Sequence, residues 1–324
     1  MISISVRMYC MGRLPKRRMG IILGYIGTAY HGMQYNEGVR TIEGEVFRAL
    51  CASGCISPSN SDDIGKNSLS RATRTDKGVH ALANLLTLKM QRYNEDLESL
   101  TREVNRQLPD QIRIWRFLPV KKKFTSRIMT STRHYRYMLP TQLLSLDRNF
   151  IYDREHQERY ARLWKLFEGT HNFHNFTIGK SSIHGSSSRF IKSIDISSPY
   201  FLNNTQWITI SFHGQSFLLH QIRKMVHFTV QTMRTANSAS QLLFEQATSD
   251  NKIHIPLAPA TNLYLKYPTF EGYNAQINSL GLKVPELNFD SLDLKPFEES
   301  IQSVMAHTDF TPYQTFLEEL NGPN

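Results

Sequence analysis

The chain has 324 residues, 40% of them hydrophobic, a formal net charge of +10 and a pI near 9.5. That is enough apolar material for one large core or two of ordinary size, and it excludes a disordered chain. The charge is uneven: residues 280–324 hold two Lys against eight Asp/Glu and carry −6, which leaves +16 on residues 1–279. A body this basic with an acidic segment appended points to a polyanionic partner, most simply nucleic acid.

Residues 1–18 carry Arg7, Arg13, Lys16, Arg17 and Arg18, with no acidic residue before Glu37. They read as a flexible basic leader, either an organelle-targeting segment or an arm for nucleic acid. Gly20–Ile26, short, apolar and Ile-rich, reads as a buried strand. In the loop that follows, Tyr30, His31 and Gln34 offer a ring, an imidazole and an amide suited to a base or sugar. A helix is predicted over 41–51, with Thr41 as N-cap, and a long polar loop over 57–69. That loop leads to Arg71-Ala-Thr-Arg74-Thr-Asp76-Lys77-Gly78-Val-His80, which sets one carboxylate among cations just before a glycine. Opposite charge favours the ionised carboxylate, making Asp76 a candidate nucleophile or base, and Gly78 allows a backbone turn that a side chain would obstruct. A strand over 84–90, a helix over 96–107, a stop at Leu108-Pro109 and a strand over 111–117 complete the first half.

Between Pro119 and Pro140 the cations Lys121, Lys122, Lys123, Arg127, Arg133 and Arg136 interleave with Phe124, Tyr135 and Tyr137. Phosphate-neutralising cations beside stacking rings suit single-stranded or locally opened RNA. The period-two pattern of Arg133–Tyr137 also fits a strand with its tyrosines packed inside. The Lys triplet marks a crossover, with a boundary near residue 120. The second half brings a helix over 154–167, a loop with His171 and His174, a Ser-rich loop over 179–188, and strands over 189–196 and 206–213. With no cysteine nearby, the two histidines are not read as a metal site. The segment Phe217–His227 reads as a helix buried on one face, and its Arg223 needs a carboxylate partner, for which Asp76 is the candidate. The longest apolar run, Phe217 to Met233, is broken by His220, Arg223, Lys224 and His227, so no membrane span is predicted. A last strand over 262–270 precedes the acidic tail. Cys10, Cys51 and Cys55 cannot all pair, and Cys51/Cys55 lacks the further ligands of a zinc site, so they read as reduced intracellular thiols.

Several of these motifs fall in an order that resembles the TruA-type tRNA pseudouridine synthases, specifically the eukaryotic synthase 1 group. They are His31-Gly-Met-Gln34, Thr41-Ile-Glu43, Arg74–His80, Leu108-Pro109, Arg133–Tyr137, Gly214–Val226 and Ile255–Pro259, together spanning residues 20–275. The resemblance implies an α+β pseudouridine synthase fold: two α/β halves whose antiparallel sheets join into one continuous sheet flanked by helices, with a basic cleft between them. The division expected is leader 1–18, N-terminal half 19–120, C-terminal half 121–279 and a partly helical tail 280–324. It implies a tRNA substrate, with other structured RNAs open, no cofactor, no metal, and no obligatory protein partner. Uridines of the anticodon stem and its surroundings would be isomerised, in the nucleus or in a mitochondrial form.

Position by position, the resemblance makes Asp76 the catalytic acid and Tyr135 the ring stacked on the target base. Arg223 matches the arginine paired with the acid, and Arg74 the one beside it at the flipped nucleotide. His31, Gln34, Lys77, His80, Lys121, Lys122, Lys123, Arg127, Arg133, Arg136, His220 and Lys224 are the candidate RNA contacts. Asn262 and His227 stand where the family commonly has glycine. A synthase 3 type acting at the anticodon loop border, and an RNA-binding or RNA-folding protein using the cleft without chemistry, are the competing readings.

Overall fold

The computed structural model describes residues 15–147, 150–179, 186–235, 239–307, 315–318 and 320. Most of the expected leader and residues 180–185 of the Ser-rich loop lie outside the described residues.

In the first half, β1 (Arg17–Tyr25) lies between β4 (Ile112–Pro119) and β3 (His80–Met90), antiparallel to both. A short β2 (Ser70–Arg71) pairs the edge of β3. In the second half, β5 (Arg133–Pro140), β9 (Thr205–Gly214), β7 (Ser188–Ile196) and β6 (Gly169–Asn172) run antiparallel in that order, with β8 (Tyr200–Leu202) forming a hairpin on β9. The strand that makes these one sheet is β10 (Leu263–Pro268), almost the last regular element of the chain. It pairs β5 antiparallel and β3 parallel, giving the order β4-β1-β3-β10-β5-β9-β7-β6. Every other described pairing is antiparallel. The expected single α+β sheet is therefore present, and its seam is β3–β10.

Both sheet faces are covered, which is why β3 and β1 are nearly apolar throughout rather than alternating. One face receives Met19, Ile21, Leu23, Leu86, Leu88, Tyr137 and Ile210, packed by α1 (Ile42–Ala52), α2 (Leu97–Asn105), α4 (Arg154–Lys165), α5 (Gln221–Thr235) and α6 (Ser240–Thr248). The caps follow the sequence: Thr41 Oγ1 accepts from Gly44 N at 3.2 Å, and Asp96 accepts from Glu98 N and Ser99 N. The opposite face is covered by α7 (Glu271–Ser279) and α8 (Lys295–His307), whose Tyr273, Ile277, Ile301 and Met305 pack on Ile22, Leu85, Met138 and Tyr264.

The acidic segment, expected to be an appendage, thus supplies core. Burying Ile301 and Met305 contributes on the order of 1.5–3 kcal/mol each. Of the two residues that stand where the family commonly has glycine, Asn262 is buried and donates Nδ2 to Met138 O at 3.1 Å, tying the start of β10 to β5. His227, on α5, is buried edge-on against Phe316 with neither ring nitrogen hydrogen-bonded among the described residues, and burial pushes it down to about 4. The structure also adds α3 (Ser126–Met129), α6, α7 and the β8 hairpin, which the sequence did not announce. It starts α5 at Gln221, so Phe217–His220 is a turn before the helix rather than its first turn.

Candidate active site

The stretch from Ala72 to Val79, which follows β2, is irregular, yet it and the Arg71 before it are fastened at several points. Arg71 makes a two-pronged ion pair with Glu43 of α1, its Nη2 lying 3.0 Å from Oε2. Glu43 is fully buried and also accepts from Tyr35 N at 2.8 Å. Its burial raises the carboxyl, and the Arg71 charge opposes that rise. Further along, Asn84 of β3 donates to Thr73 O at 2.9 Å, and Tyr25 Oη shares a 2.8 Å hydrogen bond with Thr75 Oγ1. Burial pushes the Tyr25 phenol upward, so it stays neutral in that bond. Met33 N donates to Thr75 O at 3.1 Å, Gly78 N to Tyr30 O at 3.3 Å, and Val79 N to Asp76 O at 3.1 Å. Gly78 has φ +83°, the left-handed conformation that closes this turn, as the sequence suggested. The result is a loop with little freedom, which fixes the Asp76 carboxylate with a quarter of its side chain exposed.

Asp76 lines a cavity of about 660 Å³ between the two halves. Across it stand Tyr135 of β5 and the turn Ser216–His220 that leads into Arg223 of α5. Tyr135 is 8% exposed and meets Phe217 edge-to-face at 5.4 Å. Burial raises its phenol, Arg133 opposes this, and Asp76 adds to it. Arg223 Nε donates to Ala258 O at 2.6 Å, so the Ile255–Pro259 segment orients its guanidinium. Among the described residues, six arginines, Arg71, Arg74, Arg127, Arg133, Arg189 and Arg223, line the cavity, and Asp76 is the one carboxylate that does. The group at 3.5 Å from Asp76 Oδ2 is His220 Nε2. His220 has φ +65°, a strained conformation for a residue with a Cβ, and burial lowers its pKa while Asp76 opposes the drop.

The structure therefore brings together Asp76, Tyr135, Arg223, Arg74, Arg127, Arg133 and His220 from distant parts of the sequence. Other expected RNA contacts lie elsewhere. His80 is wholly buried at the β3–β10 seam: Gly27 N donates to its Nδ1 at 3.2 Å, so its Nε2–H donates to Thr261 O at 3.0 Å. Burial holds it near 4, a neutral structural bridge rather than an RNA contact. Arg136 faces the opposite side of the sheet from Tyr135, because adjacent strand residues alternate, and it pairs there with Glu298 of α8. Lys224 is 6% exposed and donates Nζ to Asn175 O and Thr177 O at 3.2 and 3.1 Å, bracing the Phe173–Thr177 turn.

Lys121 reaches Gln276 of α7 at 3.0 Å, with Lys122 and Lys123 exposed beside it in the turn after β4. His31, Gln34 and Lys77 are exposed on loops flanking the Asp76 stretch and do not line the cavity. Sequence reasoning missed Arg71, Arg189 and Phe217 as cavity residues. Glu43 in a helix face that must be buried was the available signal for Arg71, since a buried carboxylate calls for a cation. Nothing in the Ser-rich context of Arg189 marked it.

Residues 163–271 match the family model described as tRNA pseudouridine synthase. The chain is 33% identical to the tRNA pseudouridine synthase 1 of Kluyveromyces lactis over 95% of its own length and 68% of that protein. It is 36% identical to the tRNA pseudouridine synthase 1 of Saccharomyces cerevisiae, over 84% of this chain and 64% of the relative. It is 35% identical to the Pseudouridylate synthase 1 homolog of Mus musculus, over 84% and 65%. The chain spans about two thirds of the length of the curated relatives it matches.

Proposed function

The chain belongs to the tRNA pseudouridine synthase family, and we propose that it isomerises uridines in tRNA to pseudouridine, with those of the anticodon stem and its surroundings as targets and other structured RNAs as further substrates. The observation that carries this reading is Asp76, one anchored carboxylate in a cavity that six arginines also line. The reaction breaks the bond from sugar C1′ to uracil N1 and forms one from C1′ to C5; C5 gives up its proton and N1 gains one.

The target nucleotide leaves its stack to reach Asp76, at a cost of a few kcal/mol. The ring of Tyr135, backed by Phe217, offers the base a stacking wall that offsets part of this. Arg74 and Arg223 are placed for the charge of the phosphodiester beside the flipped nucleotide and for the carboxylate itself. Asp76 then either attacks C1′, making an ester to the sugar while uracil departs, or takes the C2′ proton to assist that departure. Both routes need an ionised carboxylate held still, which the Glu43–Arg71, Asn84–Thr73 and Tyr25–Thr75 contacts support. Both also need the detached uracil to rotate without escaping or meeting water, which a cavity walled by both halves favours.

Tritium release from tRNA labelled at uridine C5 tests the proposal. Wild-type protein should release it and Asp76→Ala should not. Equal release by both would refute the assignment of Asp76, and tight tRNA binding with no release by either would favour an RNA-binding protein without chemistry.

A further inference from the structure

Beyond the Asp76 cavity a second hollow of about 550 Å³ continues outward, sharing Arg127, Arg133, Arg189 and Ser216 with it. No acidic residue lines it among the described residues. Arg133 is held by backbone carbonyls, Nη1 to Gln215 O at 2.7 Å and Nη2 to Ala72 O at 3.1 Å. Arg189 is likewise held by Ser186 O and Ser188 O, at 3.1 and 2.6 Å, while its Nε is buried without a partner among the described residues. Arg127 is exposed on α3, close enough to Arg133 to disfavour its charge further. None of the three is ion-paired with a carboxylate among the described residues. Three guanidiniums converging without a counter-charge repel one another, and carbonyl dipoles fix their direction without cancelling their charge. Phe190, 46% exposed, forms another wall, and its carbonyl accepts from Gln215 N at 3.2 Å, which steadies the strand at that point.

We propose that this groove is a subsite for a single-stranded nucleotide flanking the target, with Arg127, Arg133 and Arg189 on its phosphates and Phe190 stacked on its base. The inference rests on the catalytic reading above for the identity of the polyanion as RNA. Uncompensated cations would suit any phosphate. The exposed ring at the same hollow and the continuity with the reaction cavity point to a nucleotide unstacked beside the flipped one, since every base has a face that can stack on an aromatic side chain. The sequence placed Arg127 and Arg133 among RNA contacts but gave no role to Arg189 or Phe190.

Binding of tRNA is the readout, so that a catalytic failure of the wild type, seen by tritium release, would sink the function proposed above while the groove is judged on affinity. Arg127→Gln and Arg189→Gln should each flatten the dependence of log Kd on log salt by about 0.7, the value for one single-strand phosphate. Phe190→Ala should weaken binding about tenfold, within the range measured for one base–aromatic stack, and Phe190→Trp should restore it. A tRNA with an abasic site beside the target uridine should bind wild type about tenfold more weakly and bind Phe190→Ala no worse than intact tRNA does. Salt slopes equal to wild type in both arginine variants, or equal abasic penalties in wild type and Phe190→Ala at every flanking position, would overturn the proposal. Because Arg127 and Phe190 are exposed, their loss does not threaten folding.

Discussion

His220 Nε2 stands 3.5 Å from Asp76 Oδ2, joining the turn before α5 to the loop before β3. The contact is built on a residue with φ +65°, so the backbone bears strain to aim that ring. Burial lowers the His220 pKa, Arg223 and Lys224 lower it further, and Asp76 raises it. The net shift is downward, so the ring is neutral at pH 7 and charges only as pH falls below the ordinary imidazole range. A cation formed there would stabilise the Asp76 carboxylate and blunt it as a nucleophile. Single-turnover rates of the wild type should therefore fall on the acid side. His220→Asn should stay flat to lower pH, and identical profiles for the two proteins would remove His220 from the control of Asp76.

Glu43 and Arg71 form the anchor of the Asp76 loop, with Glu43 fully buried and Arg71 mostly so. Removing one member of such a pair leaves the other charged and desolvated, at a cost of about 3–5 kcal/mol. Glu43→Ala should lower stability by about that much in urea titration. Glu43→Met with Arg71→Met should recover much of the stability but little of the turnover, since the loop loses its alignment. Full activity in the double variant would mean that the pair has no part in placing Asp76.

Arg136 and Arg133 are three residues apart on β5 and end on opposite faces of the sheet. Arg136 pairs with Glu298, which also accepts from Tyr264 Oη at 2.7 Å. Arg136→Gln should leave the salt dependence of tRNA binding at its wild-type slope while lowering the melting temperature, because it leaves Glu298 without its cation. Arg133→Gln should flatten the slope by about 0.7. The reverse pattern would put Arg136, not Arg133, on the RNA.

His80 is folded into the seam as a neutral ring, held near 4 by burial. Its pKa is lowered from the ordinary imidazole value of 6.5, so the unfolded chain binds a proton that the folded one refuses. Stability should be fully present above about pH 6.5 and decline as pH falls from there toward 4. The loss from this residue is roughly 2 kcal/mol by pH 5. His134 and His227, each pushed down to about 4 with burial as the main cause, act in the same direction. Thermal melts across this range should show the decline, and His80→Asn should be weaker at pH 7 but less sensitive to acid. An unchanged pH sensitivity in that variant would exclude His80 as a source of the effect.

Much of the architecture was legible. The strands at 17–25, 80–90 and 205–214 and the helices at 42–52, 97–105 and 154–165 follow from short apolar runs, caps and period-3.6 patterns, all of them local properties. The Asp76 loop was recognisable because Asp76, its flanking cations and Gly78 are consecutive in the chain. Less visible was the fate of individual cations. Lys224 and Arg136 read as free positive charges, yet one satisfies backbone carbonyls and the other a carboxylate 162 residues away. Their partners are remote in sequence, and a charge pattern does not reveal which face of an element will be covered.

The sequence by itself determined most of the longer elements, the halves they form and the residue types that carry the proposed chemistry, because those depend on neighbours a few positions apart. Only the tertiary structure decided what Asp76 faces. The parallel pairing of β10 with β3 joins two halves at register Tyr264–His80, and that register sets Tyr135, His220 and Arg223 across the cavity from the acid. It also turns Arg136 and His80 away from it, since each strand residue must point to one face or the other. No local pattern encodes a pairing between strands almost 200 residues apart, and the opposition of Asp76 and His220 exists only once that pairing has formed.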